Sequence, residues 1–266
     1  MISDVLDVMV TAFLLAIDVG NTHTVVGVYD GDRLVRHWRV LSDPGRTSDE
    51  YGVLLWNLYR ASELPIPRKS DIIVCSVVPP MTTVVEDLCR DYFHAEPLVV
   101  GPGVKTGMPI LYDNPKEVGA DRIVNAVAAY ERYRQCCIVV DFGTATTFDV
   151  ISADGAYLGG AIIPGVEISL NALFGRAAGL RRVELVPPRS VVGRTTVESI
   201  QSGVLYGTAA MVDGMTQRIV QELGGTATIV ATGGLADVIA PHANTLDHLD
   251  PWITLHGLRL IWEKNQ

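Results

Sequence analysis

One pattern occurs twice in this chain, about half a chain length apart, and it restricts the architecture more than any other feature. Residues 14–34 read LLAIDVGNTHTVVGVYDGDRL, and residues 137–158 read CIVVDFGTATTFDVISADGAYL. Each copy has an apolar run, an Asp-x-Gly step, a stretch of Thr and small residues, a second apolar run and an Asp/Gly turn. Asp18 matches Asp141, and Gly20 matches Gly143. Short apolar runs bounded by such turns read as strands. A duplicated α/β protein accommodates both copies, and 266 residues suffice for two units of that kind.

The elements after each copy agree with a duplication. In the first half, strands near 13–19, 23–29 and 33–40 form a meander closed by Asp30-Gly31-Asp32. A helix follows from about Thr47, where Thr47 and Glu50 have capping-box spacing ahead of Leu54, Leu55 and Leu58. A buried strand at 71–78, a helix after Pro79-Pro80 and a strand near 97–100 complete this half. The second half repeats the meander from 137 to 163. Helices near 165–178 and 196–223, a strand at 226–232 and a short helix from about Leu235 follow. Both halves read βββαβα, so the expected fold is a pair of α/β halves facing across a cleft, with both Asp-x-Gly turns on one ligand. The expected division is an N-terminal extension over residues 1–12, a first domain over 13–118 and a second over 119–266, with Asn114-Pro115 and Gly119 at the hinge.

Composition narrows the setting. Acidic residues outnumber basic ones by 30 to 21 and the formal charge is −9, a surface that disfavours nucleic-acid binding. The four cysteines, Cys75, Cys89, Cys136 and Cys137, form no CxxC pair and have no His at zinc spacing. Their apolar neighbours point to buried, reduced thiols in a cytoplasmic protein. The longest apolar stretch, Val8 to Ile17, is too short to span a bilayer, and Asp4 and Asp7 ahead of it have the wrong sign for a signal peptide.

The candidate chemistry sits in the turns. After Asp18, Gly20 permits close backbone approach, the following amides can face phosphate oxygens, and Asn21 and Thr22 add neutral donors. Asp18, at the end of a buried strand, is suited to hold Mg²⁺ through water. One such turn would equally suit a plain hairpin; two copies favour a shared ligand. Asp141-Phe-Gly-Thr-Ala-Thr-Thr is the second phosphate turn, in which Gly143, Thr144, Ala145, Thr146 and Thr147 leave room for a polyphosphate. Gly233 and Gly234 after a third strand fit a nucleoside against backbone, or simply a turn. No P-loop is present: in Gly101-Pro-Gly-Val-Lys-Thr the Gly–Lys spacing is wrong and Pro102 removes an amide. In EVGADRIVNAVAAYERY, Ile123, Ala126, Val127 and Tyr130 share a helical face, so a helix begins near Gly119-Ala120. Asp121 then lies in its first turn, where the dipole favours the ionised form, as a cap or as a functional carboxylate. Arg122 suits either a surface charge or a fork for a substrate carboxylate.

Taken together, AIDVGNTHT (16–24), YDNPKEVGADR (112–122), DFGTATTFDV (141–150), GGAIIPG (159–165), GRTTVESIQSG (193–203) and ATGGLA (231–236) resemble the type III pantothenate kinase family from about Leu14 to Asn265. The resemblance implies the acetate and sugar kinase/Hsp70/actin superfamily, with ribonuclease H-like, actin-like α/β halves. It implies transfer of the ATP γ-phosphoryl group to the primary hydroxyl of pantothenate, opening coenzyme A synthesis, by a cytoplasmic homodimer. The implied cofactors are Mg-ATP and a monovalent cation, potassium or ammonium; no nucleic acid or membrane is involved. Carried over by position, Asp18, Val19, Gly20, Asn21, Thr22, His23, Thr24 and Val25 would hold the ATP phosphates, with Asp18 near Mg²⁺, and Thr144 would contact ATP. Asp121 would be the general base, beside Gly119, Ala120 and Arg122 in the pantothenate site. Tyr112 would pack on pantothenate, Asp141 would ligate the monovalent cation, and Thr196 would touch substrate near the dimer interface. Arg194 and Thr195 receive no role. Two rivals are a kinase of the same superfamily with another acceptor, and a silent ATP-binding homologue.

Overall fold

The computed structural model describes residues 13–64, 71–177 and 179–266. The expected N-terminal extension, residues 1–12, lies outside the described residues. The first half opens with β1 (Phe13–Val19), β2 (His23–Asp30) and β3 (Arg33–Leu41), the expected antiparallel meander. Gly31, at the first of two central turn positions, has φ +60°, a conformation that Gly adopts without steric penalty. Helix α1 (Ser48–Ala61) begins with the capping box read from sequence: the Glu50 amide donates to Thr47 Oγ1, and the Glu50 carboxylate accepts the Thr47 amide at 2.9 Å. Strand β4 (Asp71–Ser76), helix α2 (Pro79–Phe93) and strand β5 (Leu98–Val99) follow.

The second half contains α3 (Ala120–Tyr133), β6 (Cys137–Phe142), β7 (Ala145–Ile151), β8 (Tyr157–Pro164), α4 (Val166–Arg176), α5 (Thr196–Leu223), β9 (Thr228–Thr232), α6 (Ala236–Ile239), β10 (His248–Leu249) and α7 (Ile253–Glu263). The duplication extends to topology. The first sheet has the order β3-β2-β1-β4-β5 and the second, read from the corresponding end, β8-β7-β6-β9-β10. In each, the strand that carries the repeated Asp is central, with an antiparallel partner on one side and a parallel one on the other. Central strands buried on both faces need continuous apolar runs. Leu14–Ile17 and Cys137–Val140 supply them, and all eight residues are buried. At the edge, β3 carries Arg33, Arg36 and Arg39, charges that keep an open strand edge from pairing with another chain.

Two compact units emerge, and neither is contiguous. One comprises residues up to Gly107 together with Gly119–Val124 and Thr254–Gln266; the other comprises Met108–Val118 and Asn125–Ile253. The sequence division at 118/119 assigns the three short segments differently. Helix α7, which strand and helix spacing did not bring out in advance, packs on the first sheet. A methyl on Gly27 would meet Leu255, Tyr29 Oη lies 2.8 Å from His256 Nδ1, and Gly257 approaches the Val124 carbonyl so closely that no side chain fits. Its signal was present in the spacing of Leu255, Leu258 and Ile261, all buried, after Asp250, whose carboxylate accepts the Trp252 amide at 3.0 Å.

Each unit has its own core. Ile17, Val28, Tyr59, Ile72, Met81 and Leu88 belong to the first, and Ile138, Phe142, Phe148, Leu205, Val212 and Ile239 to the second. The four cysteines are free; Cys75, Cys89 and Cys137 are buried and Cys136 is half-buried. Burial pushes the Cys89 and Cys137 thiols up to about 12, so both stay protonated. No helix among the described residues is long and apolar enough to cross a membrane.

Candidate active site

In the first unit, Asp18, half-buried, is the last residue but one of β1, and the chain turns back through Gly20, Asn21 and Thr22 into β2. The Gly20 amide donates to the His23 carbonyl at 3.1 Å, closing the turn, while Asn21, Thr22 and His23 are exposed. Thr24 is turned inward: it is buried, and its hydroxyl lies 2.9 Å from Ser42 Oγ. The Ser42 amide also donates to the Thr22 carbonyl at 2.9 Å, so the residue after β3 braces the turn from behind. Val19 is buried and its carbonyl accepts the Val77 amide, and Val25 is half-buried. Of the stretch 18–25, the turn residues therefore present side chains outward, and Val19 and Thr24 anchor it.

Asp18 lies in parallel register with Cys75 on β4. The Cys75 thiol is completely buried, and its pKa is driven well up by burial first and then by the charges of Asp18 and Asp121. The charges of these two carboxylates, far apart in sequence, thus both act on one buried thiol. Asp121 stands in the first turn of α3, with Gly119 and Ala120 ahead of it. Its Oδ1 accepts the Arg122 amide at 2.8 Å, and a side chain on Gly119 would run into that same oxygen. Burial raises the Asp121 pKa above the ordinary carboxylate value, opposed by the Arg122 amide and guanidinium. A raised carboxylate is a better base than a free one. Arg122 is itself buried, which removes the plain surface-charge reading. The helical-face reading of α3 is too narrow, because every residue from Arg122 to Ala129 is buried.

The second unit repeats the arrangement with different chemistry. Asp141, half-buried and the last residue but one of β6, is in register with Thr147 on β7 and Thr232 on β9. Thr232 thus takes the place that Cys75 has beside Asp18. The Gly143 amide closes the turn onto the Ala145 carbonyl at 3.1 Å, as Gly20 does in the first copy, and Gly143 and Thr144 are exposed. The Thr144 carbonyl accepts the Gly165 amide at 3.1 Å, which ties the turn to the end of β8. Gly233, with φ +94°, brings the start of the β9–α6 connection against Asp141 Oδ1 and the Phe142 backbone. Asn125, buried in α3, donates from Nδ2 to Asp141 Oδ2 at 3.3 Å. Asn125 was not singled out from sequence, although a lone amide within an otherwise apolar helical run was a visible signal.

Tyr112 is half-buried against Tyr157, ring centroids 6.4 Å apart, and Gly159 leaves room for its ring. The Tyr157 hydroxyl donates to Asp149 Oδ1 at 2.8 Å, fixing the ring that Tyr112 rests on. Thr196 is exposed at the start of α5. Thr195, without an assigned role in the sequence, is the helix cap, its hydroxyl accepting the Glu198 amide at 3.2 Å. Glu198 in turn accepts the Arg194 amide at 3.1 Å and pairs with Arg189. The Thr195–Glu198 spacing is the same capping signal that located α1.

Among the described residues, no three His, Cys, Asp or Glu side chains gather as a metal cage requires. Asp18 beside exposed neutral donors suits a Mg²⁺ held mainly by water and phosphate oxygens. Asp141 Oδ1 is bordered by Gly143 and Gly233, and a Cβ on either would fill the space beside it. A single carboxylate oxygen in such a cradle fits a hard cation.

A family model described as type III pantothenate kinase matches residues 14–218. The type III pantothenate kinase of Pelobacter propionicus is 54% identical over 253 residues, which cover 95% of this chain and 100% of the relative. That of Anaeromyxobacter sp. is 56% identical with the same coverage. Among solved structures, a conserved putative Baf family transcriptional activator from Campylobacter jejuni aligns with a TM-score of 0.58 at 18% identity, over 94% of this chain and 98% of that one. Component A of the (R)-2-hydroxyglutaryl-CoA dehydratase of Acidaminococcus fermentans aligns with a TM-score of 0.57 at 13% identity, over 96% and 99%. These structural likenesses speak to fold alone, and the fold is the duplicated α/β architecture expected from the repeat, with the actin-like halves that the family resemblance implies.

Proposed function

The chain belongs to the type III pantothenate kinase family, and from that premise we propose that it transfers the γ-phosphoryl group of Mg-ATP to the primary hydroxyl of pantothenate, the first step of coenzyme A synthesis, with Asp121 as general base. The observation that carries the base assignment is the Asp121 carboxylate in the first turn of α3, held by the Arg122 amide and raised in proton affinity by burial, with its charge acting alongside that of Asp18 on Cys75. Phosphoryl transfer proceeds through a loose transition state, so positioning outweighs strong proton abstraction. Asp121 orients the acceptor hydroxyl and takes its proton late. Buried Arg122 faces the substrate carboxylate, Gly119 and Ala120 let the acceptor approach the helix start, and Tyr112, seated on Tyr157, packs against the pantothenate chain. The turn from Asp18 to Val25 and Thr144 in the second turn bind the ATP phosphates. Mg²⁺ near Asp18 and a potassium or ammonium ion at Asp141 supply charge neutralisation of the phosphates. The reaction belongs in the cytoplasm, where ATP and reduced thiols coexist.

Purified protein with Mg-ATP and pantothenate should form phosphopantothenate in potassium and far less in sodium alone. ATP binding without product in either salt would overturn the kinase reading in favour of a silent homologue, and product only with another acceptor would favour a different kinase.

The expected homodimer is in keeping with exposed apolar residues on the second unit. Ile162, Val191 and Val192 are 63%, 66% and 79% exposed, and Ile168 and Val197 are also exposed. Val191, Val192 and Val197 follow one another closely in sequence, and exposed apolar surface is what an interface covers. Thr196 lies in the same run as Val191, Val192 and Val197, which favours a substrate site near the interface. Sedimentation should give a dimer, shifted toward monomer by Val192→Asp; a monomeric parent protein would remove the dimer from the reading.

A further inference from the structure

We infer that Asn125 is a positioning residue that fixes the Asp141 carboxylate for its cation; this rests on the assignment of Asp141 as cation ligand. Asn125 is 1% exposed, in the middle of a buried and otherwise apolar stretch of α3. Its side-chain amide reaches Asp141 Oδ2 at 3.3 Å. The other oxygen, Oδ1, faces the glycine-bordered space, where a Cβ on Gly143 would stand 3.5 Å away and one on Gly233 would overlap it. Holding one oxygen of a carboxylate sets the direction of the other, as partners of metal ligands do generally. The chemistry of the holder matters as much as its place. A Lys or Arg there would compete with a bound cation, and a carboxylate would repel Asp141, whereas a neutral amide donor orients without changing the charge. Asn125 also lies four residues after Asp121 on the same helix.

The test compares the full-length protein with Asn125→Ala and with Asn125→Asp, which keeps the shape but removes the donor. Two quantities are read: the Kd of a non-hydrolysable ATP analogue with Mg²⁺ in potassium chloride and in choline chloride at equal ionic strength, and the potassium concentration for half-maximal turnover. The parent protein should bind the analogue more tightly in potassium. Both variants should lose most of that difference, and the half-maximal potassium concentration should rise at least about ten-fold, well beyond any change in KM for pantothenate. Equal losses in both salts, with the potassium response of the parent protein retained, would make Asn125 merely structural and overturn the inference. A parent protein that ignores potassium would instead overturn the cation reading itself, and the inference with it. If Asn125→Ala does not fold, the isosteric Asn125→Asp decides.

Discussion

Asp121→Asn is expected to lower turnover with pantothenate by about 10²–10⁴-fold, the range for loss of a general base, without lowering the melting temperature at neutral pH. Burial raises the proton affinity of Asp121 in the folded protein, and Arg122 only partly offsets it. A carboxyl whose folded pKa lies above its unfolded value stabilises the fold most when protonated, and that contribution is lost as pH rises through the folded pKa. At neutral pH the ionised Asp121 is therefore a cost to folding, retained for chemistry. Asn keeps an oxygen for the Arg122 amide and removes the charge, so stability at pH 7 should stay level or rise, and the difference from the parent should vanish in acid. The same shift sets the direction of the pH dependence: kcat/KM should fall on the acid side with a midpoint above the value of an ordinary aspartate. Near-normal turnover in the Asn variant would remove the base assignment. A lost turnover accompanied by a lowered melting temperature would assign Asp121 a structural role instead.

Gly233→Ala is expected to destabilise the protein by about 3 kcal/mol, combining a left-handed backbone that non-Gly residues adopt at a cost with overlap in a packed interior. The added Cβ would sit 2.6 Å from the backbone N and C of Phe142 and would press on Asp141 Oδ1. The Phe142 backbone cannot swing aside as a side-chain tip would, and the Asp141 carboxylate is held through its other oxygen by Asn125. At this chain length the loss corresponds to roughly 6–12 °C in Tm. The potassium response should suffer as well, because the displaced oxygen is the candidate cation ligand. Gly225→Ala is the matched control: a methyl there meets nothing within 4 Å and the backbone is not left-handed, so little change is expected. Thermal unfolding of both variants decides between them. Equal, small losses would mean that the close approach of Gly233 to Asp141 is readily relaxed and plays no part in the site.

The sequence by itself determined the elements and the motifs. The repeat located both Asp-x-Gly turns and both meanders, because alternating and continuous apolar runs act over a few residues. Thr47 and Glu50 located a helix start for the same reason, and Thr195 and Glu198 carried an equally local signal that went unused. Tertiary structure decided which of these residues meet. Cys75 comes to lie beside Asp18 only through the parallel pairing of β1 with β4, and the charge of Asp121 acts on the same thiol from a helix that starts much later in the chain. The Asn125–Asp141 hydrogen bond, the approach of Gly233 to Asp141, and the return of α7 to the first sheet are likewise contacts between segments distant in sequence. Local spacing encodes which face of an element is apolar; it does not encode the partner against which that face is buried. That choice belongs to packing, where the whole set of buried surfaces must fit at once.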